Sequence, residues 1–248
     1  IKNGNIVYDD ASLGFYLALR DMDYKLSGDF TQDNFTLNNT ANVNELTVAY
    51  GGISYLNKVK FVIQANVDVD MPNFKFTFKD NKFTLNDLSF GVDGYFAMPK
   101  SDMDMHLKFK ADQSEFKNVL SLVPGAYTKD FASVKTAGKL SFDGYVKGIY
   151  NDKSMPAFGV KIKVSDAMFQ YPSLPKSANN IQMDVAIDNK TGKPDNTIID
   201  INKFHVEMAG NPVDVKMHIE TPVSDPYING TITGKLDLAS VKDVMPLK

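Results

Sequence analysis

The side chains of this sequence that could do chemistry are three histidines, His106, His205 and His218, and a large set of aspartates. His205 and His218 flank a turn, an arrangement that can bring two imidazoles to one metal ion. Both fall on the polar phase of their strands, beside Phe204 and Met217, so they read as surface residues. Asp68 and Asp70 share a face, as do Asp102 and Asp104, the kind of pairing a glycosidase uses. Alternating carboxylates are equally what the solvated phase of a strand needs. No HExxH, cysteine cluster or Asp-rich calcium loop accompanies them. There is no Gly-x-Ser-x-Gly, P-loop or dinucleotide fingerprint either. The chain contains no cysteine, which excludes disulfides, thiolate metal sites and cysteine nucleophiles. The expectation is a protein that is not an enzyme, with no catalytic residue, no metal and no cofactor.

Composition narrows the remaining classes. The chain has 248 residues, 43% hydrophobic and 23% charged, values of a folded globular chain. Its net charge is −3 and Arg20 is its one arginine, so nucleic acid is not an expected partner. No apolar run approaches a membrane span, and no signal peptide precedes the pattern. The sequence opens in mid-pattern at Ile1 and reads as an excised fragment. The lack of cysteine fits a bacterial envelope protein that avoids stray oxidation, and it fits many cytosolic domains as well.

The elements that would position any site are strands. Val59, Phe61, Ile63, Ala65, Val67, Val69 and Met71 alternate with mostly polar neighbours, which predicts one long strand with one apolar face. Phe74, Phe76 and Phe78 follow. The polar run Lys79-Asp80-Asn81-Lys82 predicts a hairpin turn before Phe83 and Leu85. Asn86-Asp87 interrupts the alternation, and a bulge there would restore the face. Leu13–Leu19 and Tyr24–Phe30 are two early strand candidates. Leu140 and Phe142, Phe158 to Val164 and Ile181 to Ile187 repeat the pattern in the second half, followed by Ile199 and Ile201, then Phe204, Val206 and Met208 as neighbouring strands, and by Val213 to Ile219. Helices are few. Phe116, Val119, Leu120 and Val123 have helical spacing, with Asp112 as N-cap and Glu115 completing a capping box. Tyr127, Phe131 and Val134 suggest a second short helix, and Leu238, Val241 and Met245 a third.

The chain also repeats itself. Ile63 to Asp70 recurs as Ile181 to Asp188, and Val43–Tyr50 aligns with Val164–Tyr171. Asn81-Lys82-Phe83 recurs as Asn202-Lys203-Phe204, and Pro99 to Asp102 as Pro222 to Asp225. Asp112 to Pro124 corresponds to Asp237 to Pro246. Landmarks in one order predict two tandem β repeats, 1–124 and 125–248, each closed by a short helix.

So many amphipathic strands must cover their apolar face with a second sheet, by closing into a barrel, or with helices. If the sheet curls without closing, its inside is a greasy trough that acyl chains can line at about 0.8 kcal/mol per CH₂. The expected fold is mainly β: a long curved antiparallel meander sheet, trough-like or taco-like, with a few short capping helices. The candidate groove residues are Val59, Phe61, Ile63, Val67, Val69, Phe74, Phe76 and Phe78 in the first repeat. Ile181, Met183, Val185 and Ile187 continue them in the second.

Several segments resemble the AsmA family of bacterial envelope proteins. Asn3 to Asp10 followed by Ser27-Gly28-Asp29-Phe30 is similar to that family's repeated opening. Asp112 to Pro124, Lys139 to Gly148 and Phe204 to Asp214 are similar to its C-terminal repeats. The resemblance implies an architecture like the chorein-type bridge-like lipid-transfer proteins, with a U-shaped sheet carrying phospholipid. It further implies a periplasmic protein held in the inner membrane by a segment missing here. It also implies a role in outer-membrane biogenesis and lipid homeostasis. The implied partners are phospholipid or another acyl-chain lipid, together with envelope proteins. The alternative is a structural or partner-binding envelope module with a closed core.

Overall fold

The computed structural model describes residues 1–12, 14–100, 102–120, 134–151, 153–171 and 175–235. Thirteen strands account for most of them. They are β1 (Gly4–Asp10), β2 (Phe15–Ser27), β3 (Asn34–Tyr50), β4 (Ile53–Asp70), β5 (Lys75–Leu85), β6 (Leu88–Ala97) and β7 (Met103–Glu115). Then follow β8 (Lys135–Tyr150), β9 (Ala157–Gln170), β10 (Ala178–Asn189), β11 (Ile198–Met208), β12 (Asn211–Glu220) and β13 (Tyr227–Gly234). The sheet order equals the chain order, an antiparallel meander that no pairing closes into a barrel among the described residues. The one α-helix described is α1 (Phe116–Leu120), and a single 3₁₀ turn spans Pro194–Asn196. The chain falls into two compact units, Ile1–Phe109 with Asn118–Lys129, and Lys110–Lys117 with Asp130–Lys248.

In the first unit the apolar phase does not run unbroken along each strand. It shifts by one residue at defined points. On β2 it passes from Leu17 and Leu19 to Met22 and Tyr24, and on β3 from Val43 to Leu46. The polar residues at the shift face each other, and Asn44 donates its amide to Asp21 at 2.5 Å. Asp21 takes a φ of 49°. A second shift on β4 lies at Lys58, φ 53°. Each is a polar residue in the left-handed region, where an extra residue leaves the ladder and side-chain parity flips. This explains why β2 looks like two strands in sequence: Leu13–Leu19 and Tyr24–Phe30 straddle one strand, Phe15–Ser27, and residues 28–33 form its turn.

The same device reverses two sequence expectations. Lys79 to Lys82 is not a turn: β5 runs through it with a bulge at Asp80, φ 42°. Asn81 holds the bulge in the sheet, because its Oδ1 accepts the Val92 N–H at 2.7 Å and its Nδ2 donates to the Val92 carbonyl. A side-chain amide thus replaces the missing backbone pair. The turn is instead Asn86-Asp87, where Leu85 pairs directly with Leu88 and Asn86 has φ 50°. Asparagine tolerates that conformation, which two-residue hairpin loops require.

The expected cap at Asp112 is also corrected. Asp112 lies inside β7, and the helix starts four residues later at Phe116. Its carboxylate pairs with Lys110 at 2.8 Å instead of capping backbone N–H groups. Val123, Tyr127 and Phe131, and the predicted helix of Leu238, Val241 and Met245, lie outside the described residues. Val134 is buried immediately before β8.

In the second unit the phase shifts recur at Asp166, φ 51°, and between Ile201 and Phe204. The repeated landmarks fall on corresponding strands: Val43–Tyr50 on β3 and Val164–Tyr171 on or just past β9, with Asn81 and Asn202 each at a bulge of β5 and β11. The registers differ. Ile63 pairs with Phe83, whereas Phe204 pairs with Met183, two residues beyond the Ile181 that matches Ile63.

The β10–β11 connection is organised by Asn189, which is 0% exposed. Its amide donates to the Lys193 carbonyl (2.7 Å) and Thr197 Oγ1 (2.8 Å), and its Oδ1 accepts from Thr191 N (3.1 Å) and Gly192 N (2.8 Å). Replacing it leaves the buried Gly192 N–H without its partner and strips the Thr191 N–H and Lys193 carbonyl of theirs. Asn189→Ala should cost about 1–3 kcal/mol, read as a lowered urea midpoint with unchanged slope.

Candidate apolar binding face

Within the first unit the pairing brings most of the first-repeat groove candidates to one face. Val67 pairs with Phe78, Val69 with Phe76, and Ile63 with Phe83 on β4 and β5. On the other side of β4, Val43 pairs with Phe61, Leu46 with Val59, Leu37 with Val67 and Phe35 with Val69. Phe74 is different. It sits in the β4–β5 turn with φ 46° and meets Phe76 edge-on, ring centroids 5.2 Å apart.

The face has two tiers. Val59, Ala65, Val67 and Val69 are buried at the sheet surface. Phe61, Phe76, Phe78 and Phe83 stand over them and stay half-buried. A row of rings crosses three strands, with Phe61 stacked on Phe83 at 6.3 Å and Phe83 on Phe90 at 5.6 Å. Phe78 lies opposite Gly94, whose φ is 108°, and a Cβ there would fall 1.8 Å from the His106 carbonyl on β7. Glycine at 94 lets the β6 and β7 backbones close up.

In no described residue is a phenylalanine buried, although phenylalanine normally ranks among the most buried types. Small side chains fill the floor and the large rings keep one side open. Closing a core would have reversed that order.

In the second unit the candidates Met183, Val185 and Ile187 stand at the centre of three cross-strand rows. The first runs Leu140, Val164, Met183, Phe204, Val215, Ile232. The second runs Phe142, Ile162, Val185, Ile201, Met217, Gly230, and the third Gly144, Val160, Ile187, Ile199, Ile219, Ile228. Ile181 pairs with Ala167 beyond the Asp166 bulge. The end of these rows on β13 was missed from sequence. Gly230 breaks the alternation of Ile228 and Ile232, and that gap hides the signal.

The opposite faces carry the charge. On the first unit Asp68 pairs with Lys79 and accepts from Thr36 at 2.8 Å, and the Lys79 ammonium first, then the Thr36 hydroxyl, hold its carboxyl below the usual range. On the second, Tyr145 of β8 reaches across Gly159 of β9 to donate to Asp188 of β10 at 2.6 Å, and its phenol is pushed up to about 12. Both histidines expected at the surface lie here. His205 Nδ1 meets Asp214 at 2.8 Å, and His218 sits between Asp200 (2.6 Å) and Glu220 (3.1 Å). The carboxylates bind opposite nitrogens of one ring, which is ion pairing and not chelation. No group of three or more potential metal ligands gathers among the described residues. No described helix is long and apolar enough to cross a membrane. No family model, curated protein or solved structure matches the chain.

The hydrogen bond to Asp200, then that to Glu220, raises the His218 pKa above its ordinary value. A raised folded pKa stabilises the fold fully below the unfolded pKa of about 6.5, and the gain is lost as pH rises through the folded value. Wild type should therefore exceed His218→Gln in melting temperature by more at pH 5.5 than at pH 8.5. An NMR titration of His218 should show its midpoint fall in Asp200→Asn.

Proposed function

We propose that this chain is a non-enzymatic, periplasmic segment of an AsmA-like envelope protein, and that its apolar face holds the acyl chains of phospholipid. The face shields or transfers lipid in outer-membrane biogenesis and lipid homeostasis. The full-length protein is held in the inner membrane, and membrane contact is made by regions outside this chain. Envelope proteins are the further partners.

The observation that carries this reading is the inverted order of burial on the first unit's face. Valines are sealed at the floor while Phe61, Phe76, Phe78 and Phe83 remain half-open above them. An acyl chain laid along these rings would remove apolar surface from water at about 25 cal/mol per Å². Ring faces and the thioether of Met183 adapt to chains of varied shape. The sequence landmarks shared with the AsmA family support the same reading. The half-open rings also favour it over a closed-core envelope module, where the phenylalanines would be the sealed residues.

The test measures folding and lipid contact together. Protein purified from cells should carry lipid by native mass spectrometry, and a photo-cross-linker at Phe78 should capture it. Phe76→Asp and Val185→Asp each set a charge on a half-buried position of the face. Each should keep its β circular-dichroism spectrum and lose roughly tenfold or more of the lipid cross-linked within its own unit, at Phe78 for the first and at Met183 for the second. A lipid-free wild type that takes up no fluorescent phospholipid, or a folded variant with full cross-linking, refutes the proposal.

A further inference from the structure

Among the described residues, the two strands at the ends of the sheet order, β1 and β13, are built differently. β1 carries the usual protection of an exposed edge: a register shift between Gly4 and Ile6, and the carboxylates Asp9 and Asp10. β13, Tyr-Ile-Asn-Gly-Thr-Ile-Thr-Gly, has no charge and no proline. It pairs with β12 without a single shift, from Val213–Gly234 to Glu220–Tyr227. All of its residues are exposed, Ile228 at 58% and Ile232 at 69%.

The direction of its free hydrogen bonds follows from one contact. Lys235 N–H donates to the Pro212 carbonyl on β12 at 3.1 Å. Hydrogen bonding alternates along an antiparallel strand, so the odd-numbered residues of β13 face β12. Ile228, Gly230, Ile232 and Gly234 then direct their N–H and C=O groups outward. The same residues belong to the apolar face.

We propose that β13 is a docking edge for a second copy of this chain, two β13 strands pairing antiparallel about a two-fold axis through Gly230. In that register Ile228 lies opposite the partner's Ile232, and Asn229 opposite the partner's Thr231. Apolar meets apolar and neutral polar meets neutral polar. The flanking charges match as well. Lys235 falls opposite the partner's Asp225, twice by symmetry, and both are exposed. Shifting by one residue would set isoleucine against threonine or asparagine and turn every pair to the wrong face. A two-fold pairing of this kind is isologous and closes at two chains. It continues the second unit's apolar rows into the partner and does not depend on what those rows bind.

The test uses the whole chain. Sedimentation equilibrium should show a concentration-dependent rise from the 27.5 kDa chain mass to twice that value. Ile232→Pro removes an N–H directed away from β12, so it should melt within a few degrees of wild type and raise the dimer dissociation constant at least about tenfold. The chain has no cysteine, so single cysteines report cleanly. Mixing Ile228→Cys with Ile232→Cys chains under mild oxidation puts the two thiols on one cross-strand pair, with Cα atoms about 5.5 Å apart and within disulfide reach. The mixture should yield roughly tenfold more covalent dimer than either variant alone. A chain that stays monomeric, Ile232→Pro dimerising like wild type, or Ile232→Cys linking to itself as well as the mixture does, overturns the proposal.

Discussion

A strand turns successive side chains to opposite faces, so a sheet of one layer has one face that water accepts and one that it does not. Everything described in either unit answers to that constraint. A second sheet or a layer of helices would normally cover the apolar side, yet the described helices are one of five residues and a three-residue 3₁₀ turn. The sheet meets the cost partly by itself. Valine and alanine lie flat at its surface, and phenylalanine rings from neighbouring strands lean over them. The rings shield the floor and are only partly shielded in turn.

Keeping every strand on phase is harder than it looks, because strands as long as β3 and β4 twist and coil. The chain corrects phase with bulges. Asp21, Lys58, Asp80 and Asp166 each adopt positive φ, and beyond each one the apolar set resumes on the opposite parity. A polar residue suits that place, since it faces water while the ladder is broken. Asn81 shows how the broken pair is made good, with both ends of its amide bonded to Val92.

The strands themselves were legible in sequence wherever alternation ran unbroken, as from Val59 to Val69 or from Val213 to Ile219. The meander followed from the short polar breaks between them. The failures cluster at parity shifts. β2 looked like two strands because Asp21 moves its apolar set by one, and the roles of Lys79–Lys82 and Asn86-Asp87 were exchanged. Both segments are polar, and only pairing to β6 tells a bulge from a turn. Asp112 and Glu115 carried the pattern of a capping box, but β7 holds that backbone. Of the candidate face, the β4, β5 and β10 residues could be named in advance. Those on β13 could not, since a strand of isoleucine, glycine and threonine has too few apolar positions to show its period.

Each strand between β1 and β13 hydrogen-bonds to the strands before and after it in the chain. Chain direction reverses at every step, so the array can lengthen or shorten by whole hairpins without rerouting any connection. Strands lie about 4.8 Å apart, so each hairpin gained widens such an apolar surface by nearly 10 Å. Duplication of a block of strands is then the simplest genetic change that enlarges the surface. The offset of two residues between Ile63–Phe83 and Met183–Phe204 preserves side-chain parity, the one property such an array must keep for its apolar residues to stay on one face.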